Sequence, residues 1–252
     1  MVRTSMILSW PGRFRFAIVL LGCLAIVPVA SAQYPSKSQA SKDGTSVLLE
    51  DYASPPLSSP THGGKDSTEI DFKGQLGRVT SLRSEPADAP LAASRFFVDD
   101  QSGTLYTLDK ATKKFTPYIH FAEVFPKFES DTGNTAGIIS IAFDPGYVKN
   151  GKFYTVHVEK PDMEGSATPT NAHLPALKLD GYATTPSVIP PAGPMHLESV
   201  LVEWTDTNIR NATFEGTARE LLRVGFDRNH PMADLVFNPL ARPGRDDYGN
   251  LY

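Results

Sequence analysis

From about residue 69 onward the chain alternates short runs rich in Val, Ile, Phe and Tyr with polar stretches carrying Gly, Pro, Asn or Asp. That spacing predicts β-strands joined by turns. The clearest runs are Phe96-Phe97-Val98, 104–108, 115–121, 138–143, 152–158, 200–204, 220–224 and 235–237. None sustains a 3.6-residue period, and only 91–93 and 122–127 could close a helical turn. The predicted fold class is all-β.

One module occurs three times. Phe97-Val98-Asp99 leads to Gly103-Thr104-Leu105-Tyr106, Ala142-Phe143-Asp144 to Gly151-Lys152-Phe153-Tyr154, and Val236-Phe237-Asn238 to Gly249-Asn250-Leu251-Tyr252. Each is an apolar strand, an Asp or Asn that can bond its own turn, a glycine and a second apolar strand, which reads as a β-hairpin. The module tyrosines lie 48 and 98 residues apart. Propeller blades of about 40 to 50 residues would give that spacing if the second gap holds an insertion. The Pro-, Thr- and Gly-rich stretch 160–197 supplies one. A β-sandwich repeats hairpins too, and periodicity alone leaves both architectures open. On the propeller reading, residues 69–252 amount to roughly the first two and a half blades, the N-terminal part of a longer protein.

The segments before residue 69 differ in kind. Arg13 and Arg15 precede an apolar run over 16–30, and Ala30-Ser31-Ala32 ends it with small residues, so 1–32 reads as a secretory signal peptide cut before Gln33. The run is shorter than the roughly 20 residues a membrane span needs. Residues 33–68 are rich in Ser, Pro and Gly around one apolar island, Val47-Leu48-Leu49, and are expected to form a mobile arm.

Composition narrows the function. The chain carries 24 Lys and Arg against 28 Asp and Glu, a formal charge of −4, and beyond the leader the imbalance grows because the leader holds only basic charges. A nucleic-acid partner is not expected of such a chain. The single cysteine, Cys23, lies in the leader, so the mature protein would have neither disulfide nor thiolate chemistry. The expected location is periplasmic or secreted, with no membrane span once the leader is removed.

The stretch Gly137-Ile138-Ile139-Ser140-Ile141-Ala142-Phe143-Asp144-Pro145-Gly146-Tyr147, followed by Asn150-Gly151-Lys152-Phe153-Tyr154, resembles the second-blade signature of the soluble quinoprotein glucose and sorbosone dehydrogenases, GLLGxAFHPDF and then NGxFY. Asn229-His230, then Asp234-Leu235-Val236-Phe237-Asn238-Pro239 and Tyr248-Gly249-Asn250-Leu251-Tyr252, is similar to that family's histidine, FGPDG strand and LY pair. Arg219-Glu220-Leu221-Leu222-Arg223-Val224 lies between the two matches and resembles the strand preceding the family's histidine. The resemblance implies a six-bladed β-propeller that binds pyrroloquinoline quinone and calcium and oxidises the anomeric hydroxyl of an aldose to a lactone, passing electrons to a periplasmic acceptor. It implies His230 as general base, Asn229 as the residue orienting it, and Thr135 facing the sugar where family members often carry Gln. Cofactor and calcium ligands would follow Tyr252.

A histidine, with an ordinary pKa of about 6.5, suits proton removal from a hydroxyl at neutral pH, and His230 is the strongest catalytic candidate on that ground. His120 and His157 fall in apolar strands and read as core or edge histidines, while His173 and His196 lie in or beside the insertion. The chain departs from the family pattern at Thr135, at Asp144 for His, at Met232-Ala233 and at Asn238 for Gly, so the sugar is left open. The competing reading is a non-catalytic secreted propeller that binds carbohydrate or protein.

Overall fold

The computed structural model describes residues 37–42, 45–57, 77–130, 136–193, 196–227 and 230–252. The expected leader, Thr135 and Asn229 lie outside the described residues. The chain divides into two units, Met1–Glu50 and Asp51–Tyr252. In the first, β1 (Lys37–Lys42) and β2 (Thr45–Glu50) pair antiparallel with Lys37 opposite Glu50. Part of the expected arm is therefore a hairpin, with the apolar island of Val47, Leu48 and Leu49 inside β2. Apolar β-branched and aliphatic residues favour that pairing even where little surface is buried.

The second unit is built almost wholly of strands. β3 (Val79–Arg83), β4 (Arg95–Asp100), β5 (Thr104–Asp109) and β6 (Phe115–His120) form a four-stranded antiparallel sheet in chain order. β7 (Ile138–Phe143), β8 (Lys152–Glu159), β10 (Leu197–Asp206) and β11 (Gly216–Phe226) form a second antiparallel run, and β9 (Leu177–Lys178) adds in parallel along the outer side of β11. Two single helical turns, α1 (Phe121–Val124) and α2 (Tyr147–Asn150), follow β6 and β7.

Strand alternation sorts the side chains into layers. Phe97, Leu105 and Ile119 of the first sheet share one buried cluster with Ile141, Phe153 and Trp204 of the second. Val98, Tyr106 and Leu108 point the other way and pack with Ala53. In the shared layer Phe97 meets Tyr118 and Phe143 edge to face, at 5.0 and 5.1 Å, and Trp204 stacks on Phe153 at 6.1 Å. The Trp204 indole N–H donates to Thr155 Oγ1 at 2.8 Å. Burying one such ring contributes about 2–3 kcal/mol.

A polar clamp sits at one end of this layer. Arg95 Nε donates to Glu85 Oε2 at 3.0 Å and Arg95 Nη2 to Glu85 Oε1 at 2.7 Å, while Tyr147 of α2 donates its hydroxyl to the same carboxylate at 3.1 Å. Arg95 also donates to the carbonyls of Asn211 and Ile209, and Tyr118 donates to Asp206. Buried charges persist only when paired and hydrogen-bonded, and here the pairing ties the first sheet to the loops of the second.

The far face of the second sheet carries a further layer. Ala142, Tyr154, Val156 and Leu201 pack with Leu235, Phe237 and Leu251. Phe237 bridges Leu251 antiparallel, and Val236 and Tyr252 exchange N–H···O bonds of 3.0 and 2.9 Å. The run predicted at 235–237 is thus a single bridge, flanked by the backbone bonds between Val236 and Tyr252. The insertion after β8 is docked rather than free-standing: Leu177 is buried in the shared core, and Ser187 bridges Arg223 beyond β9.

Candidate functional site

Three chain segments come side by side at the start of β7. Thr80 Oγ1 of β3 donates to the Ile138 carbonyl at 3.2 Å. Ser140 of β7 donates to Asp234 Oδ1 at 2.9 Å, and Ser140 Oγ in turn accepts the Leu235 N–H at 3.1 Å. Arg83 of β3 closes the group with Nη2 2.5 Å from Asp234 Oδ1. Burial opposes ionisation of Asp234, but hydrogen bonds from Ser140 and Arg83 outweigh it and hold the carboxyl below its ordinary value. Met232 N–H donates to Ser199 Oγ at 2.8 Å, so the segment from 232 to 235 is fixed at both ends.

His230 stands just ahead of that anchored segment. It is exposed, and among the described residues nothing hydrogen-bonds its ring. Its φ is 64°, and Pro231 follows. Histidine is among the side chains that tolerate the left-handed region, but a residue before proline is driven toward extended backbone. A non-glycine residue held in that state needs its surroundings to enforce it, and such positions gather at functional sites. Of the three residues expected at the site, His230 alone is described; Thr135 and Asn229 are the other two.

The other described histidines separate by environment. His157 is fully buried among Phe121, Phe125 and Phe128, with Nε2 3.2 Å from Glu159 Oε1. His120 Nδ1 lies 3.1 Å from Thr104 Oγ1. His173 and His196 are exposed. Asp144, which stands where the resembled family has histidine, caps the turn after β7: it accepts from the Gly146 N–H at 2.7 Å and from the Asn150 amide at 3.0 Å. That is the opposite end of β7 from His230, so this departure from the family pattern does not touch the candidate site.

A second polar cluster was not visible in the sequence. Arg223 Nε and Nη2 donate to Glu220 at 3.1 and 2.9 Å, and Nη1 donates to both Glu159 and Glu198 at 2.7 Å. Burial opposes ionisation of Glu159, yet the hydrogen bonds and charges of His157 and Arg223 leave its carboxyl below the ordinary value. Glu220 and Arg223 are three apart and would face opposite sides of a regular strand. A register shift opposite Leu201 and Val202 inserts an extra residue in β11 and brings both to one side.

Among the described residues no group of three or more His, Cys, Asp or Glu side chains is placed to hold a metal ion, and no helix is long and apolar enough to cross a membrane. No protein-family model matches the chain, and neither does any curated protein.

Proposed function

We propose that the stacked sheets are blades of a six-bladed β-propeller and that the protein is an exported, quinone-dependent sugar dehydrogenase with His230 as general base. The blade reading is supported by two four-stranded antiparallel runs sharing one core and by an antiparallel bridge packed on the far face of the second. The observation that carries the catalytic reading is the left-handed backbone of His230 before Pro231, next to a segment anchored by Asp234 and Met232. In that pose an exposed imidazole can take the proton of a substrate hydroxyl. The carbon-bound hydrogen would leave with its electron pair to an oxidant of the quinone class. Among the described residues no group of three or more His, Cys, Asp or Glu is placed to hold calcium, and the proposal assigns this chain's side chains only the proton.

A second reading has its own support. His230 is exposed beside an anchored segment, which also suits a surface that binds carbohydrate or protein without turning it over. Dye reduction with a panel of aldoses, after incubation with pyrroloquinoline quinone and calcium, separates the two. Sugar-dependent reduction that falls by about 10² to 10⁴ in His230→Ala, and less in Asn229→Ala, supports the enzyme. Absence of sugar-dependent reduction in the unaltered protein leaves the binding reading.

A further inference from the structure

A cavity of about 340 Å³ lies beside β6, well away in the chain from His230, between α1, the docked insertion and the loop joining β10 to β11. Its walls are hydrogen-bonded to one another. Thr170 N–H donates to the Val124 carbonyl at 2.7 Å, which ties the insertion to α1, and Phe214 N–H donates to the Tyr118 carbonyl at 3.4 Å, which ties the loop to β6. The cavity is therefore formed before any ligand arrives, and its volume is at the small end for ligand sites, enough for one ring.

Two kinds of side chain line it. Pro117, Val124 and Leu174 give an apolar surface, suited to the C–H face of a ring. Thr116, His120, Glu123, His173 and Thr213 place hydroxyls, imidazoles and one carboxylate around it, a mixture of hydrogen-bond donors and acceptors contributed by three separate stretches of chain. The His120 ring is steadied by Thr104 at 3.1 Å. Among the described residues no lysine or arginine lines the space, and Glu123 is the one acidic residue there. Such a lining offers an anion no guanidinium or ammonium partner, and the Glu123 carboxylate repels one.

We propose that this cavity binds a single neutral pyranose ring, at a site separate from His230 and independent of the catalytic reading. The probe is methyl α-glucopyranoside, which has no free anomeric hydroxyl and so cannot be oxidised there. Its binding to the full chain is followed by saturation-transfer NMR, with methyl glucuronide as the anionic counterpart. The expected result is transfer to the glucoside and none to the glucuronide. Affinity should fall about tenfold in His173→Ala, the loss of one hydrogen bond to a strongly polar group, and by a smaller factor in Glu123→Gln, which keeps an amide oxygen as acceptor and loses only the charge. Leu174→Trp, which fills the cavity, should abolish transfer. Absence of transfer to the glucoside overturns the proposal. So does equal binding of the glucuronide, or a signal lost in His230→Ala and kept in the exposed His173 and Glu123 variants, which would move sugar binding to the strand ends beside His230.

Discussion

A Cβ added to Gly137 would stand 1.8 Å from the carbonyl oxygen of Gln101. The two residues join the sheets where β7 begins: Gln101 belongs to the turn between β4 and β5, and Gly137, at φ 95°, delivers the chain into the strand that carries Ser140. No L-residue fits both the angle and the space. Gly137→Ala should cost more than about 3 kcal/mol, combining left-handed strain with a backbone clash. Gly181 provides the control, since its φ is 77° but nothing lies within 4 Å of a Cβ there. Gly181→Ala should cost about 1–2 kcal/mol from conformation alone. Urea unfolding of the two variants measures the difference, and equal losses would show that the Gln101 contact is unimportant.

Asp99 confers a pH dependence opposite to that of most carboxylates. It is fully buried on β4, accepts from the Ser81 N–H at 2.5 Å and the Ser81 hydroxyl at 3.0 Å, and burial pushes its carboxyl up to about 6 against 3.8 when free. The folded state thus holds this proton more tightly than the unfolded chain, so the penalty is absent below about pH 4 and grows as pH rises toward 6. Above that it levels off at about 3 kcal/mol. Asp99→Asn keeps an oxygen for the Ser81 N–H and removes the charge. Across pH 5 to 8, unfolding free energies should show the unaltered protein losing stability relative to Asp99→Asn as pH increases; parallel curves would mean that Asp99 does not titrate in this range.

Arg223 and its three carboxylates should respond asymmetrically to substitution. Arg223→Ala leaves Glu159, Glu198 and Glu220 together without their cation, and breaking a buried pair in this way costs about 3–5 kcal/mol. Glu198→Gln removes one of several like charges while keeping an acceptor for Arg223, and should change stability by less than about 1 kcal/mol. Thermal unfolding of both variants checks this. A larger loss for Glu198→Gln than for Arg223→Ala would contradict the view that the guanidinium neutralises a surplus of negative charge.

The part of β10 that was legible in the sequence is 200–204, where Val200, Val202 and Trp204 meet the shared core and Leu201 meets the layer on the other face; the buried Glu198, Ser199 and Asp206 nearer its ends carry no apolar signal. β3 gave no comparable signal: it alternates Val79 and Leu82 with polar residues and stays half-exposed, so little apolar patterning was required of it. β9 owes its pairing to its position along β11, a tertiary cause that two residues cannot announce. At the candidate site, His230 stood out by residue type and motif. Asp234 did not, because its partners Arg83 and Ser140 come from distant parts of the chain and meet only after the strands align. The cluster around Arg223 was hidden by the extra residue in β11, which breaks the two-residue alternation on which strand reading depends.

The insertion after β8 also governs what the protein does in company. β11 is the longest strand, eleven residues, and on its outer side Thr217 pairs with Lys178, while Val188 N–H bonds the Arg223 carbonyl at 2.8 Å and Gly225 N–H bonds the Ile189 carbonyl at 2.6 Å. Those groups would otherwise be a ready template for a strand from another molecule. Shortening the insertion through 177–189 would uncover that row, and the expected consequence is concentration-dependent self-association seeded at β11 even where the core still folds. A stretch that looks dispensable by its Pro- and Thr-rich composition thereby occupies backbone groups along the outer side of β11.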